Sequence, residues 1–308
     1  MPGSRDALLD KIQRWAHQDA EDASPIFWLS GIAGTGKSTI SQTVCQHVAD
    51  VPNPRASFFF SHHEGQRRIA NLVFPTLIYQ LLSDTDCPLP IKSRIFQSLE
   101  KNPSIGSQTL KTQFETLILE PLVTLSLPSP IVLVLDALDE CMEEGVKEIL
   151  NLIVSHLDKL PSFLKILVTS RPEGHIANIL NPENLKTTPD GRRVFIHEID
   201  PSADEAAVRA FFEVALSTAE VTRVFPRFTE WKLDEIKIGL LVKMTEGLFI
   251  VAATIVKFIM DSEDADPEYR LSVLLQSPEF KNQTHTAIHQ LYIRILEHRY
   301  SATAGSQH

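Results

Sequence analysis

The residues Gly31-Ile-Ala-Gly-Thr-Gly-Lys-Ser38 hold the densest chemistry in the chain. Glycines at 31, 34 and 36 let successive backbone amides turn inward around phosphate oxygens, which is the P-loop pattern. A helix beginning there adds the positive end of its dipole. Lys37 then reaches β- and γ-phosphates, and the Ser38 hydroxyl ligates magnesium. The expected nucleotide-binding residues are Gly31, Ala33, Gly34, Thr35, Gly36, Lys37, Ser38 and Thr39. A purely structural glycine turn is the alternative, and it leaves unexplained why the pattern lies between an expected strand and an expected helix.

A second set follows the apolar run Ile131-Val-Leu-Val-Leu, which delivers Asp136 at its C-terminal end and then Asp139 and Glu140. Ligands of open parallel sheets bind at that edge. Asp136 therefore joins Ser38 as an expected magnesium residue, and Asp139 and Glu140 lie where a base orients attacking water. The plainer reading of that pair is electrostatic, since carboxylates favour the start of a following helix. A third strand ends in Arg171, whose guanidinium can fork onto a γ-phosphate or simply form a surface ion pair. Asp139, Glu140 and Arg171 make up the expected catalytic set.

Other groupings are weaker. His285 and His289 lie four apart without a third ligand nearby, His62-His63-Glu64 is inconclusive, and Arg67 with Arg68 reads as a solvated basic pair. The Gly-x-Ser-x-Gly elbow of serine hydrolases does not occur.

Helices and strands must alternate to position these residues. Apolar spacing predicts a helix over 5–18, strands over 25–30, 56–61, 131–136, 165–170 and 194–199, and helices over 37–50, 69–82, 91–99 and 145–160. A short helix ends at Leu180. Residues 110–127 read as helical but contain Pro121, and Pro128 and Pro130 close them. Such alternation predicts an α/β fold with a doubly wound, mostly parallel sheet covered on both faces. After Pro201 only helical patterns remain, over 203–216, 233–244, 248–260, 267–275 and 286–300, which predicts a small all-helical lid domain. The expected division is a lead-in at 1–24, a nucleotide-binding domain at 25–200, the small domain at 201–300 and a tail at 301–308. No internal repeat is visible.

Bulk properties narrow the function classes. At 308 residues the chain exceeds what one hydrophobic core usually organises. Apolar residues make up 43% and charged ones 22%, an ordinary globular composition. A formal charge of −10 without a basic cluster argues against a nucleic-acid platform. Cys45, Cys87 and Cys141 fit neither a disulfide framework nor a zinc cluster, which suits a reducing cytoplasm. The start lacks a secretory signal, and the most apolar run, 247–260, is too short to span a bilayer and carries Lys257, so no membrane partner is expected.

The three elements, in this order and spacing, resemble the NACHT family of STAND NTPases, especially fungal NACHT proteins and nephrocystin-like N-terminal domains. The resemblance runs from Pro2-Gly-Ser-Arg5, Ile12 and Trp15 through Phe27 to Ser38 and Ser57-Phe-Phe-Phe-Ser61. It continues through Leu135 to Cys141, Thr169-Ser-Arg-Pro172, Gly247-Leu-Phe-Ile250 and Leu291-Tyr292. The family's Asp-x-x-Asp-Glu motif matches Asp136, Asp139 and Glu140, whereas motor AAA+ ATPases place glutamate where this chain has Ala137. Many relatives carry proline in place of Phe249.

The resemblance implies magnesium with ATP or GTP, a metal role for Asp136, water ordering by Asp139 or Glu140, and γ-phosphate sensing by Arg171. It also implies a nucleotide-gated signalling switch with slow hydrolysis, working in a homo-oligomer or larger assembly. In relatives a winged-helix histidine holds ADP; the sequence stops soon after Tyr300, so ready ADP exchange is expected. The rival readings are a phosphotransferase or motor ATPase with steady turnover, which requires glutamate beside Asp136 or an acceptor pocket, and a truncated, nucleotide-free scaffold.

Overall fold

Side chains on successive strand residues point to opposite faces, so a strand covered on both sides is apolar along most of its length. The computed structural model describes residues 6–17, 24–47, 55–181, 194–200, 205–261 and 266–275. Among these residues five strands, β1 (Ile26–Ser30), β2 (Arg55–Phe59), β3 (Ile131–Asp136), β4 (Leu164–Ser170) and β5 (Val194–Glu198), pair in parallel in the order β2-β3-β4-β1-β5. The three inner strands are buried at every position and the two outer ones are not.

One face packs Phe27, Leu29, Val132, Val134 and Leu167 against α1 (Asp6–Ala16) and α2 (Lys37–His47) through Ile12, Trp15, Ile40 and Val44. The other packs Ile26, Trp28, Leu133, Leu135, Ile166 and Val168. It faces α3 (Val73–Ser83), α4 (Leu89–Lys101), α5 (Leu110–Phe114), α6 (Glu120–Leu122), α7 (Glu143–Ser155) and α8 (Gly174–Leu180). Phe27 is fully buried, with ring centroids 5.3 Å from Trp15 and 4.9 Å from Phe195. Truncating such a residue to alanine costs about 3–5 kcal/mol. This is the doubly wound parallel sheet that the alternation of elements predicts.

Chain direction explains where a ligand can sit. From β1 the chain passes to the edge strand β2, returns through β3 and β4, and then crosses β1 to reach β5. Connections leaving on opposite sides open a crevice at the C-terminal ends of the inner strands.

Three local expectations need correction. Two 3-10 turns, Gly65–Arg68 and Ala70–Leu72, precede α3, which therefore begins at Val73 and not at 69. The helical run expected over 110–127 ends at Leu122: it passes from α5 through the π turn Glu115–Leu119 into α6, with Pro121 in the first turn of α6, where a missing N–H is tolerated. A further helix, α10 (Thr218–Val224), lies where no periodic pattern drew attention. Its signal was present all the same: Ser217-Thr-Ala-Glu220 is a capping-box sequence, and the Ser217 hydroxyl accepts from the Glu220 amide.

From Asp200 on, the described residues are helical: α9 (Glu205–Ala215), α10, α11 (Glu235–Thr245), α12 (Phe249–Ile259) and α13 (Pro267–Leu275). Phe212, Leu241, Val251, Ile255 and Leu274 form their core. The Asp234 carboxylate accepts from the Lys237 amide and starts α11, and left-handed Glu246 and Gly247 end it. The helix expected over 286–300, with His285, His289 and Tyr292, lies outside the described residues. Backbone proximity divides the chain into two compact units, Ala7–Ala33 with Lys37–Ile199, and Asp200 onward with Gly34–Gly36 and the N-terminal residues to Asp6. No helix among the described residues is long and apolar enough to cross a membrane.

Candidate functional site

The phosphate-loop residues start where β1 ends. The Gly31 amide donates to the Ser170 carbonyl at 3.3 Å, which fastens the loop's first residue to the tip of β4. Gly34 and Gly36 both have φ of 82°, a left-handed conformation that side chains resist. A Cβ on Gly34 would also come within 2.2 Å of the Ile250 side chain. Lys37 opens α2, and its ammonium donates to the Gly31 and Ile32 carbonyls at 2.7 and 3.0 Å. Thr35 is buried, whereas Ala33, Ser38 and Thr39 are exposed.

At the end of β3, Asp136 is almost fully buried, and its Oδ1 accepts a 2.6 Å hydrogen bond from the Thr169 hydroxyl. The parallel register that sets Leu135 beside Val168 brings the two together. The same hydroxyl accepts from the Ala137 amide at 2.9 Å. Thr169 is thus the site residue that sequence reasoning missed. Its signal was a hydroxyl near the C-terminal end of a mostly apolar strand, in the Thr169-Ser-Arg-Pro172 run that the resemblance includes.

Ala137 adopts φ 54° and ψ 48°, a left-handed turn that costs a residue with a Cβ about 1–2 kcal/mol. That turn reverses the chain into a 3-10 turn, Leu138–Glu140, and separates the two acidic residues. Asp139 binds Arg171 twice: Oδ1 accepts from the Arg171 amide at 3.1 Å, and Oδ2 lies 3.2 Å from its Nε. The Asp139 side chain is 5% exposed and that of Arg171 48%. Glu140 turns the other way, and its Oε2 accepts from the His62 amide beyond β2 at 3.0 Å. Glu143 and Glu144 occupy the first turn of α7, so the helix-start electrostatics fall to them.

Nearby groups tie the strand tips together. Trp28 Nε1 donates to Ser170 Oγ at 2.9 Å, and that hydroxyl donates to the Arg171 carbonyl. Arg67 pairs with Glu64 at 3.1 Å on the exposed 3-10 turn, and His62 enters the site by its backbone N–H. The Cys141 thiol, just past Glu140, donates to the Arg68 carbonyl, and burial pushes its pKa up to about 11. The end of β3 therefore offers hard oxygen donors at Asp136, and the start of α2 a cation at Lys37, residue types suited to a phosphate with a small divalent cation.

A family model described as nephrocystin 3, N-terminal, matches residues 3–171, more than half of the chain. The chain belongs to that family. The nephrocystin-like domain thus covers the phosphate loop, the acidic motif and Arg171, and it agrees with the nephrocystin-like part of the sequence resemblance. No curated protein matches the chain. Among solved structures, a Walker-type ATPase of Pyrococcus abyssi is similar at 17% identity and a TM-score of 0.49, over 97% of this chain and 76% of that one. Domain III of the Thermotoga maritima replication initiation protein DnaA is similar at 12% identity and a TM-score of 0.42, over 89% of this chain and 92% of that one.

Proposed function

We propose that this nephrocystin-like protein is a magnesium-dependent nucleoside triphosphate switch that hydrolyses ATP or GTP slowly. One observation carries the reading: a glycine loop with two left-handed residues follows β1 and leads straight into Lys37, and β3 of the same sheet ends in a buried, hydrogen-bonded Asp136. Backbone amides of Gly31, Ala33, Gly34, Thr35 and Gly36 hold the phosphates, with Lys37 on the β- and γ-oxygens and Thr39 beside them. Ser38 and Asp136 are the residues to hold magnesium, which neutralises charge on the phosphates when bound. Asp139, Glu140 and Arg171 serve hydrolysis and γ-phosphate sensing.

In this reading residues 25–200 are the nucleotide domain and 201–300 a helical lid, flanked by a lead-in at 1–24 and a tail at 301–308. ADP and ATP favour different arrangements through differential contacts, and the triphosphate form enters a homo-oligomer or larger signalling assembly in the cytoplasm, as in STAND and NLR-like proteins. Steady turnover of the motor kind is disfavoured because Ala137, not a glutamate, follows Asp136 and sits in a left-handed turn.

The test is to denature the purified protein, identify any retained nucleotide, and titrate the emptied chain with Mg-ATP and Mg-GTP in a calorimeter. A bound purine nucleotide and saturable binding are expected. A chain that carries none and binds neither removes the proposal.

A further inference from the structure

We infer that Asp139 is a positioning residue for Arg171, and that Glu140 alone is the carboxylate that orients attacking water. This rests on the triphosphatase reading above and divides a role that the sequence leaves shared between two neighbours. Asp139 offers water almost nothing: both of its oxygens face nitrogens of one residue, and its side chain is 5% exposed. What it does is hold a guanidinium. Gripping both the amide and Nε of Arg171 fixes the side chain where it leaves β4 and leaves the two Nη nitrogens, which can fork onto phosphate oxygens. The 48% exposure of Arg171 keeps that fork accessible.

Glu140 has the complementary arrangement. One oxygen is anchored by the His62 amide at 3.0 Å, while the residue remains partly exposed, so the carboxylate is oriented without being sealed. The left-handed Ala137 makes this division possible, because the tight turn after it sends one carboxylate toward β4 and the next toward the segment after β2. In the hydrolytic step a water oxygen bonds to the γ-phosphorus as the bond to the β–γ bridging oxygen breaks. The carboxylate of Glu140 takes the water's proton, and the diphosphate leaves with the bridging oxygen and its electron pair.

A double-mutant cycle on the full chain tests this, with titration of fluorescent Mg-ATP and Mg-ADP analogues, or their guanine counterparts, alongside turnover. Asp139→Asn and Arg171→Ala should each lower the preference for triphosphate over diphosphate by about ten- to a hundredfold, the loss of one charge-assisted hydrogen bond. The double variant should lose no more than either alone, since both changes remove one interaction. Glu140→Gln should keep the preference and slow turnover by about a hundredfold or more.

Multiplying losses in the double variant, or an Asp139→Asn that keeps the preference, overturns the inference. So does a Glu140→Gln that keeps full turnover, or a parent chain that binds both nucleotides without preference. If Asp139→Asn does not fold, Asp139→Glu replaces it: displacing the carboxylate by one methylene must lower the preference in the parent and leave it unchanged with Arg171→Ala. A parent that binds neither nucleotide removes the triphosphatase reading itself, an outcome distinct from all of these.

Discussion

Two buried polar side chains of the helical unit, Thr245 and Arg270, join points close together in the chain, whereas Trp28 and Thr169 of the α/β unit join the tips of separate strands. Thr245 donates to the Val242 carbonyl and accepts from the Gly247 amide, and Arg270 donates to the Phe258 and Asp261 carbonyls. Each closes the end of a helix, where carbonyls lack partners of their own. Trp28 instead reaches Ser170, and Thr169 reaches Asp136, across neighbouring parallel strands. A helix satisfies its backbone internally and needs polar side chains only at its ends. A parallel sheet gathers its strand ends along one edge, and side chains placed there meet residues distant in sequence. Chemistry therefore concentrates at the strand tips.

The largest expected effect follows from removing the loop's cation. Lys37→Ala should raise the dissociation constant for Mg-ATP by about a hundredfold or more, because loop amides alone must then balance the β- and γ-phosphates. Calorimetry on the folded variant checks this, and unchanged affinity would break the assignment of chemistry to the α/β edge.

Next comes the contrast between two threonines. Thr169→Val strands the Asp136 carboxylate and the Ala137 amide inside the sheet edge, which should cost about 1–3 kcal/mol and lower the melting temperature by about 3–10 °C. It should also raise the magnesium concentration needed for nucleotide binding, since Asp136 is no longer held in place. Thr245→Val, which loosens a helix end, should cost about 1 kcal/mol and leave the magnesium requirement untouched. Melting curves with magnesium titrations of both variants sharpen the comparison. Equal magnesium curves for the two would erase it.

The smallest effect concerns pH. Burial pushes the Cys87 and Cys141 thiols up to about 11, and both lie in the α/β unit. An unfolded cysteine ionises near pH 8.5, so above that pH the unfolded chain has released protons that the folded chain retains. Their contribution to stability is complete below about pH 8.5 and declines as pH rises toward 11. Replacing both with alanine should flatten the fall in melting temperature between pH 8 and 10. An unchanged slope would assign that fall to other groups.

Local rules made much of the molecule legible. Spacing of glycine, lysine and serine marked the phosphate loop, because the requirement for left-handed backbone at Gly34 and Gly36 falls on residue types that can be read directly. Continuous apolar runs marked β1 and β3 as inner strands, since only residues buried on both faces need no alternation. The helical pattern over 110–127 was legible through Pro121, but the π turn that accommodates the ring leaves no mark in the spacing of apolar residues.

Tertiary structure alone decided the strand order and the partners of the acidic motif. Asp139 and Arg171 are 32 positions apart, and Glu140 and His62 are 78 apart. No periodicity links such pairs; they meet because β2, β3 and β4 lie side by side in register and Ala137 turns the chain back over their ends. Sequence thus determined which residues are chemically equipped, since side-chain type and local backbone demand belong to each position. Which carboxylate holds an arginine, and which is held by an amide, depended on neighbours that only the folded sheet supplies.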